Sequence, residues 1–252
     1  AHLRDAVAMV QFLAWLDQTA PSGDLTEIDV VKQLEAFRSG SNALREISFD
    51  TISGAGPNGA VVHYRVSEDS NRRITPGDLL LVDSGGQYLD GTTDITRTIA
   101  IGTPPAEAAQ AFTRVLSGMI AMSRLRWPSG LTGSHIEAIG RVPLWLAGQD
   151  FDHGLGHGVG AYLSVHEGPQ RLSRVSHVPL QPGMILSNEP GYYREGAFGI
   201  RIENLLVVQE APALPGGEPR VVSYQVIDNF DDVLWDGIVA FNLGGCTAIE
   251  LE

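Results

Sequence analysis

Phe151-Asp152-His153-Gly154-Leu155-Gly156-His157-Gly158-Val159-Gly160 is the stretch on which the reading of this chain turns, and it runs on to Val165-His166-Glu167-Gly168-Pro169. Two histidines sit among four glycines, and a third follows. Glycine lets backbone or ligand approach where a Cβ would not fit. Histidine is the commonest metal ligand and changes charge near neutral pH. Alone, the stretch proves little, because a lone buried histidine is more often a satisfied core residue. Gly154-Leu155-Gly156-His157-Gly158 also mimics a dinucleotide loop, but no strand precedes it and no βαβ unit surrounds it, so that reading fails. Meaning comes from four acidic positions elsewhere: Asp83 and Asp94 before it, Glu189 and Glu203 after it.

Each of these acids stands where a strand should be apolar. Asp83 follows Leu79-Leu80-Leu81-Val82, and Glu189 closes on Met184-Ile185-Leu186. Glu203 follows Ile202, and Asp94 lies between Thr92-Thr93 and Ile95. A carboxylate beside core residues must be paired or bind a metal. Basic partners are scarce, since only Arg97 and Arg201 are close in sequence. Four carboxylates and one imidazole can hold two divalent ions with their charges balanced. Oxygen ligands with one nitrogen suit Mn²⁺, Zn²⁺, Co²⁺ or Fe²⁺ better than a soft thiolate metal. Taken singly, a strand-end aspartate is usually a turn cap or a surface residue. The conjunction of all five positions is what carries the metal reading.

Composition narrows the alternatives. The 252 residues allow one large domain or two small ones with a sizeable core. A hydrophobic share of 43% with 19% charged residues is that of a globular protein. The formal net charge is −13, and the densest basic spots are only Asn71-Arg72-Arg73 and Arg124-Leu125-Arg126, which argues against a nucleic-acid partner. Part of the acidity fits an inward-facing site neutralised by cations. No apolar run approaches the length of a membrane span, and Leu79-Leu80-Leu81-Val82 reads as a buried strand. Cys246 is the single cysteine, so no intrachain disulfide forms, which suits a reducing compartment such as the cytoplasm. In its apolar surroundings it reads as inert. The chain opens at Ala1 inside a helical pattern, which leaves room for a missing upstream segment or a removed signal.

Local patterns predict the elements. Residues 6–16 form a helix with a broad apolar face, broken by Pro21-Ser22-Gly23. Thr26-Glu27-Ile28-Asp29 resembles a capping box and opens a second helix to about Arg38. A strand over 49–52, a loop over 53–59 and an extended segment over 60–64 follow. Thr75-Pro76-Gly77-Asp78 turns into a strand over 79–84. Tyr88-Leu89-Asp90-Gly91 has hairpin chemistry and returns the chain as a strand over 92–101, which makes Asp83 and Asp94 close cross-strand neighbours. Helices are expected over 105–123 and 133–147, and strands over 184–189 and 199–208. Residues 211–219 read as a surface loop, and the tail from Val221 alternates only weakly. Helical blocks followed by strands, without successive βαβ units, predict an α+β fold of two related halves.

The motifs resemble a known family. Gly54-Ala55-Gly56-Pro57-Asn58 through His63-Tyr64, Val82-Asp83-Ser84-Gly85 and Asp90-Gly91-Thr92-Thr93-Asp94-Ile95-Thr96-Arg97-Thr98 are similar to the catalytic domain of the Xaa-Pro aminopeptidases (aminopeptidase P). So are residues 153–160, Val165-His166-Glu167-Gly168-Pro169, Ser187-Asn188-Glu189-Pro190-Gly191-Tyr192-Tyr193 and Gly199-Ile200-Arg201-Ile202-Glu203-Asn204. They follow the family's order across residues 1–208. The wider group of metallopeptidases includes prolidase and methionine aminopeptidase.

This resemblance implies a pita-bread fold, a curved antiparallel sheet backed by helices in two pseudo-symmetric halves. It implies one catalytic domain over residues 1–252, without the family's upstream domains. Asp83, Asp94, His157, Glu189 and Glu203 would ligate two divalent ions, manganese before zinc, cobalt or iron. Asp94 and Glu203 would bridge the ions, with His157 and Glu189 on one and Asp83 on the other. The implied reaction is hydrolysis of the bond between an N-terminal residue and a following proline. In it Glu189 moves the proton, His63 and His166 hydrogen-bond the substrate carbonyl and oxyanion, His153 walls the proline pocket, and Arg201 orients Glu203 or Asp83. A cytoplasmic enzyme, homodimeric in its full-length form, is the implied setting. Two features depart from the pattern. Leu155 stands where relatives commonly have Thr, and the tail after about residue 219 lacks the expected strand and its Thr-Leu/Pro-Ile-Asp pattern. The alternatives are prolidase activity, methionine aminopeptidase activity and a metal-free peptide-binding module of the same fold.

Overall fold

A mainly helical block followed by antiparallel strands occurs twice along the chain. The computed structural model describes residues 1–162, 164–217 and 221–226. The first half holds α1 (His2–Thr19), α2 (Glu27–Gly40), β1 (Glu46–Ile47), β2 (Ile52–Ala55), β3 (Leu79–Ser84), β4 (Gly86–Tyr88), β5 (Gly91–Thr92) and β6 (Ile95–Ala100). The second opens with α3 (Ala106–Ser123), β7 (Arg126–Pro128), α4 (Gly133–Ile136) and α5 (Ala138–Trp145). It continues through β8 (Gly156–His157), β9 (Arg171–Leu172), β10 (Ile185–Asn188), β11 (Gly191–Arg194), β12 (Phe198–Arg201), β13 (Asn204–Glu210) and β14 (Val221–Val226). The main sheets are β2-β3-β6 and β10-β13-β14-β7, and all their pairings are antiparallel. The α+β reading in two halves is therefore correct.

Each sheet is backed by its own helices. Met9, Phe12 and Leu16 of α1 with Val30 and Leu34 of α2 pack on Leu80 and Val82 of β3. Strand side chains alternate, so Leu81 leaves by the other face, where it meets Ile52 and Tyr64. Asp83 shares that second face. In the other half Val115, Met119 and Met122 of α3 and Leu144 of α5 pack on Leu186, Leu206 and Val208. The two helices touch backbone to backbone, since a methyl group on Gly118 would overlap the carbonyl of Gly140.

The capping box forms as read. Thr26 accepts from the Asp29 amide, and Asp29 Oδ2 accepts from the Thr26 amide at 2.9 Å. Other expectations need correction. The strand expected at 49–52 lies at Ile52–Ala55, because pairing with β3 recruits the small residues Ser53 and Gly54. The segment 60–64 is not extended: a 3-10 turn over Gly56–Ala60 is followed by turns. The strand expected over 92–101 breaks at Thr93 and Asp94, because Thr93 donates to buried Asp5 at 2.8 Å. Asp83 consequently faces Thr96, and Asp94 lies one alternation further along rather than directly opposite. The run 199–208 also breaks, at Ile202 and Glu203, where the Glu203 amide turns to the Thr96 carbonyl in the first half. The helix over 133–147 forms as α4 and α5, with a tighter i to i−3 bond from Gly140 to Glu137 at the junction. The tail does contain a strand. Val221–Val226 joins β13 to β7, with Val222 and Tyr224 turned into the core. Cys246 lies outside the described residues.

Candidate metal centre

The strand breaks and strand ends above are where the acids sit. Asp83 is the penultimate residue of β3, Asp94 lies between β5 and β6, Glu189 directly follows β10, and Glu203 lies between β12 and β13. Each half thus supplies two carboxylates, and β8 supplies His157. Gly156 lets β8 cross the end of β10, since a methyl group there would overlap the Ser187 carbonyl. The five residues line one cavity of about 350 Å³, together with His63, His153, His166 and Arg201. Every site residue expected from the sequence therefore faces the same space.

The hydrogen bonds fix how the groups are presented. His157 Nδ1 lies 2.9 Å from the Gly158 carbonyl, which can only accept, so Nδ1 donates there and Nε2 is the nitrogen turned to the cavity. Its Nε2 lies 3.4 Å from Asp94 Oδ2 and 3.3 Å from Glu189 Oε1. One imidazole nitrogen and two carboxylate oxygens thus converge on one point of the cavity. Donor atoms of Asp94, His157 and Glu203 lie within 4.8 Å of one another, close enough to share one ion. Asp83 Oδ2 accepts from Arg201 Nη2 at 2.7 Å, while Asp83 Oδ1 is buried without a hydrogen-bond partner. Thr96 Oγ1 donates to Glu203 Oε2 at 2.6 Å, and Ser187 Oγ donates to Glu189 Oε1 at 2.9 Å. A histidine that donates its far nitrogen to a carbonyl, among carboxylates oriented by hydroxyls, is the usual outer-shell arrangement of a metal site. The residues present fit a pair of divalent ions.

Electrostatics agree with the geometry. Burial holds Glu203 well above the usual carboxylate range, and the charges of Asp94, Glu189 and Asp83 add to it. Burial also raises Glu189, against the pull of His157 and Arg201. Without cations these carboxylates repel one another in a poorly solvated space.

A second layer surrounds the acids. His153 Nδ1 donates to the Gly154 carbonyl at 2.7 Å, so its Nε2 accepts from Tyr193 at 2.8 Å. The Tyr193 oxygen in turn accepts from Arg201 Nη1 at 2.8 Å. Burial lowers His153 to about 4, which keeps it neutral, and raises Tyr193 to about 12. Arg201 therefore serves Asp83 and Tyr193, whereas Thr96 serves Glu203. His166 stands edge-on to His157 with ring centroids 4.1 Å apart. His63 is exposed on the cavity wall. Arg141 of α5 holds the backbone before the histidines, donating to the carbonyls of Phe151 and His153 at 2.6 and 2.7 Å. Sequence reasoning missed Thr96, Ser187, Tyr193 and Arg141. The first three lay inside stretches already singled out, but nothing marked their hydroxyls as aimed at the acids. Arg141 gave no local signal.

Known proteins share much of this sequence and its fold. The chain is 52% identical over 214 residues to aminopeptidase P2 of Arabidopsis thaliana, covering 84% of this chain and 30% of that protein. It superposes on X-prolyl aminopeptidase from Caenorhabditis elegans, described as a cytosolic enzyme with a di-nuclear active site, with a TM-score of 0.86 and 39% identity. That match covers 90% of this chain and 37% of the other. Xaa-Pro dipeptidase from Bacillus anthracis gives a TM-score of 0.75 and 30% identity over 91% of this chain and 58% of its own. The chain spans about a third of the length of the curated relatives it matches. These likenesses identify the fold as the pita-bread fold. With residues 1–210 matching its description, the chain belongs to metallopeptidase family M24.

Proposed function

We propose that the chain is the catalytic domain of an Xaa-Pro aminopeptidase, cleaving an N-terminal residue from a following proline with two divalent ions. Asp83, Asp94, His157, Glu189 and Glu203 would hold them, and manganese is the first choice for this oxygen-rich set. The reading is carried by one observation: Nε2 of His157 faces the Asp94 and Glu189 carboxylates at 3.4 and 3.3 Å, in a cavity that Asp83 and Glu203 also line. When bound, the ions supply a Lewis acid and lower the pKa of water towards neutrality. Glu189 takes the proton from the attacking water and returns it to the leaving nitrogen. His63 and His166 donate to the carbonyl oxygen as negative charge grows on it. His153, neutral and hydrogen-bonded to Tyr193, walls the proline pocket. Arg201 keeps one oxygen of Asp83 occupied and so presents the other. Proline offers no N–H, so selection rests on the shape of its ring and on the trans bond. A cytoplasmic setting and, for the full-length protein, a homodimer complete the proposal. The single cysteine and the relative described as cytosolic support the first. Among the described residues no helix is long and apolar enough to cross a membrane.

The test is elemental analysis and peptide assay of the reconstituted protein. Two ions per chain are expected, with cleavage of Xaa-Pro-Xaa tripeptides ahead of Xaa-Pro dipeptides and Met-Xaa peptides. His157→Ala should lose at least one ion and the activity. A folded protein that retains no transition metal would sink the proposal. Preference for Xaa-Pro dipeptides or for Met-Xaa peptides would reassign the substrate.

A further inference from the structure

Glu27, in the first turn of α2, is fully buried, and its carboxylate collects donors from a segment that carries a cavity histidine. The Ala55 amide donates to Oε1 at 2.7 Å, and Asn58 Nδ2 lies 3.0 and 3.1 Å from the two oxygens. The Tyr64 hydroxyl and the Arg72 amide reach Oε2 at 2.9 and 3.0 Å. The Arg72 guanidinium turns to Asp78 instead, so dipoles rather than that cation meet the charge. The tethered groups span the end of β2, the 3-10 turn and the turns up to Arg72. His63 lies between Asn58 and Tyr64 in this strandless stretch. Tyr64 is buried beside Leu81 and Ile52, whereas His63 is exposed to the cavity. Hydrogen bonds to an ionised acceptor are roughly twice as strong as neutral ones.

We propose that Glu27 is a positioning residue for His63, acting through Tyr64 and Asn58 to hold the segment against the cavity. The inference rests on the reading of His63 as a donor to the developing oxyanion. It gives a buried acid outside the cavity lining a role in turnover but not in metal binding.

Glu27→Gln, Tyr64→Phe, His63→Ala and the double variant Tyr64→Phe/His63→Ala test it in the metal-loaded protein. His63→Ala is expected to lower kcat about 10²–10³-fold, as for one oxyanion donor. Misplacing the donor in Glu27→Gln should cost about 10²-fold. Tyr64→Phe, which leaves three of the tethers, should cost about tenfold. Metal stoichiometry should stay parental in all four. In the His63→Ala background Tyr64→Phe should add nothing, because the group it positions is gone. Parental kcat in Glu27→Gln and Tyr64→Phe, or a full-sized Tyr64→Phe effect without His63, overturns the proposal. If Glu27→Gln does not fold, the Tyr64 pair decides. If the parent cleaves no Xaa-Pro peptide, the functional reading fails by itself. The tether is then judged by the His63 ring resonances of the zinc-loaded protein: broadening in Tyr64→Phe supports it, and unchanged resonances overturn it.

Discussion

His166 contacts the ring of His157 edge-on, 4.1 Å between centroids, yet the carboxylate cluster is complete without it. Burial and the neighbouring His157 lower its pKa, which favours a neutral imidazole. His166→Ala should therefore keep the metal and lose about 10²–10³ in turnover on an Xaa-Pro peptide, the usual loss for one oxyanion donor. Turnover normalised to metal content checks this, and parental turnover would leave His63 as the main donor. His153 makes a different prediction. It titrates at about 4 in the folded chain against 6.5 ordinarily, because burial disfavours its charge. Between these values the unfolded chain binds the proton and the folded chain does not, so His153 removes stability as pH falls from 6.5 to about 4. His153→Phe lacks that loss. The gap in melting temperature between parent and variant should narrow across this window, and a constant gap would contradict it. Of the residues around the cavity, the four acids were legible because charged side chains beside apolar runs are anomalous in a sequence. Thr96 and Ser187 were not, because a hydroxyl in a strand is ordinary until its partner is seen.

Buried polar contacts between elements follow the same divide. Asp5 of α1 accepts from Arg38 of α2 through Nε at 2.8 Å and Nη2 at 3.1 Å, from Tyr88 at 2.7 Å and from Thr93 at 2.8 Å. This cluster locks two helices to the segment just before Asp94. Asp5→Ala would leave the fully buried Arg38 uncompensated, and breaking a buried pair this way costs about 3–5 kcal/mol. Urea unfolding of the metal-free protein measures it, and a loss under about 1 kcal/mol would show that water relieves Arg38. Burial tends to raise the Asp5 pKa, but Arg38 and the hydroxyls outweigh it and hold the group below 3.8. Its contribution is thus present above 3.8 and is lost as pH falls below that. No sequence pattern announces such a partnership across 33 residues of chain. The helices themselves were legible from period and caps, and β3 from its apolar run. The strands next to Asp94 and Glu203 were read too long. Their breaks come from tertiary partners, Asp5 for Thr93 and Thr96 for the Glu203 amide. The weakly alternating tail hid β14, whose register is set by β13 and β7 rather than by its own residues.

The two halves meet at the acids. The Glu203 amide bonds to the Thr96 carbonyl at 3.2 Å, and Arg97 Nη1 returns to the Glu203 carbonyl at 2.6 Å. Around that seam Asp83 and Asp94 come from the first half and His157, Glu189 and Glu203 from the second. Ions held by both halves would act as a cross-link, and they would also cancel the repulsion that burial and neighbouring charges impose on Glu203. Both effects favour the folded chain alone, since the unfolded chain disperses these five residues. Chelation should therefore lower the melting temperature, and added manganese should restore it in a concentration-dependent way. Mass action sets the scale at about 2.7 kcal/mol when free metal is a hundred times its dissociation constant. His157→Ala separates this from a general salt effect. It removes a donor from the second half, so manganese should raise its melting temperature less than the parent's at every concentration. Magnesium chloride at equal ionic strength should leave both unchanged, because Mg²⁺ prefers to keep its water shell rather than enter an imidazole-containing site. A parent melting temperature indifferent to both chelator and manganese would mean that the acids are held by hydrogen bonds alone and that no ion joins the halves.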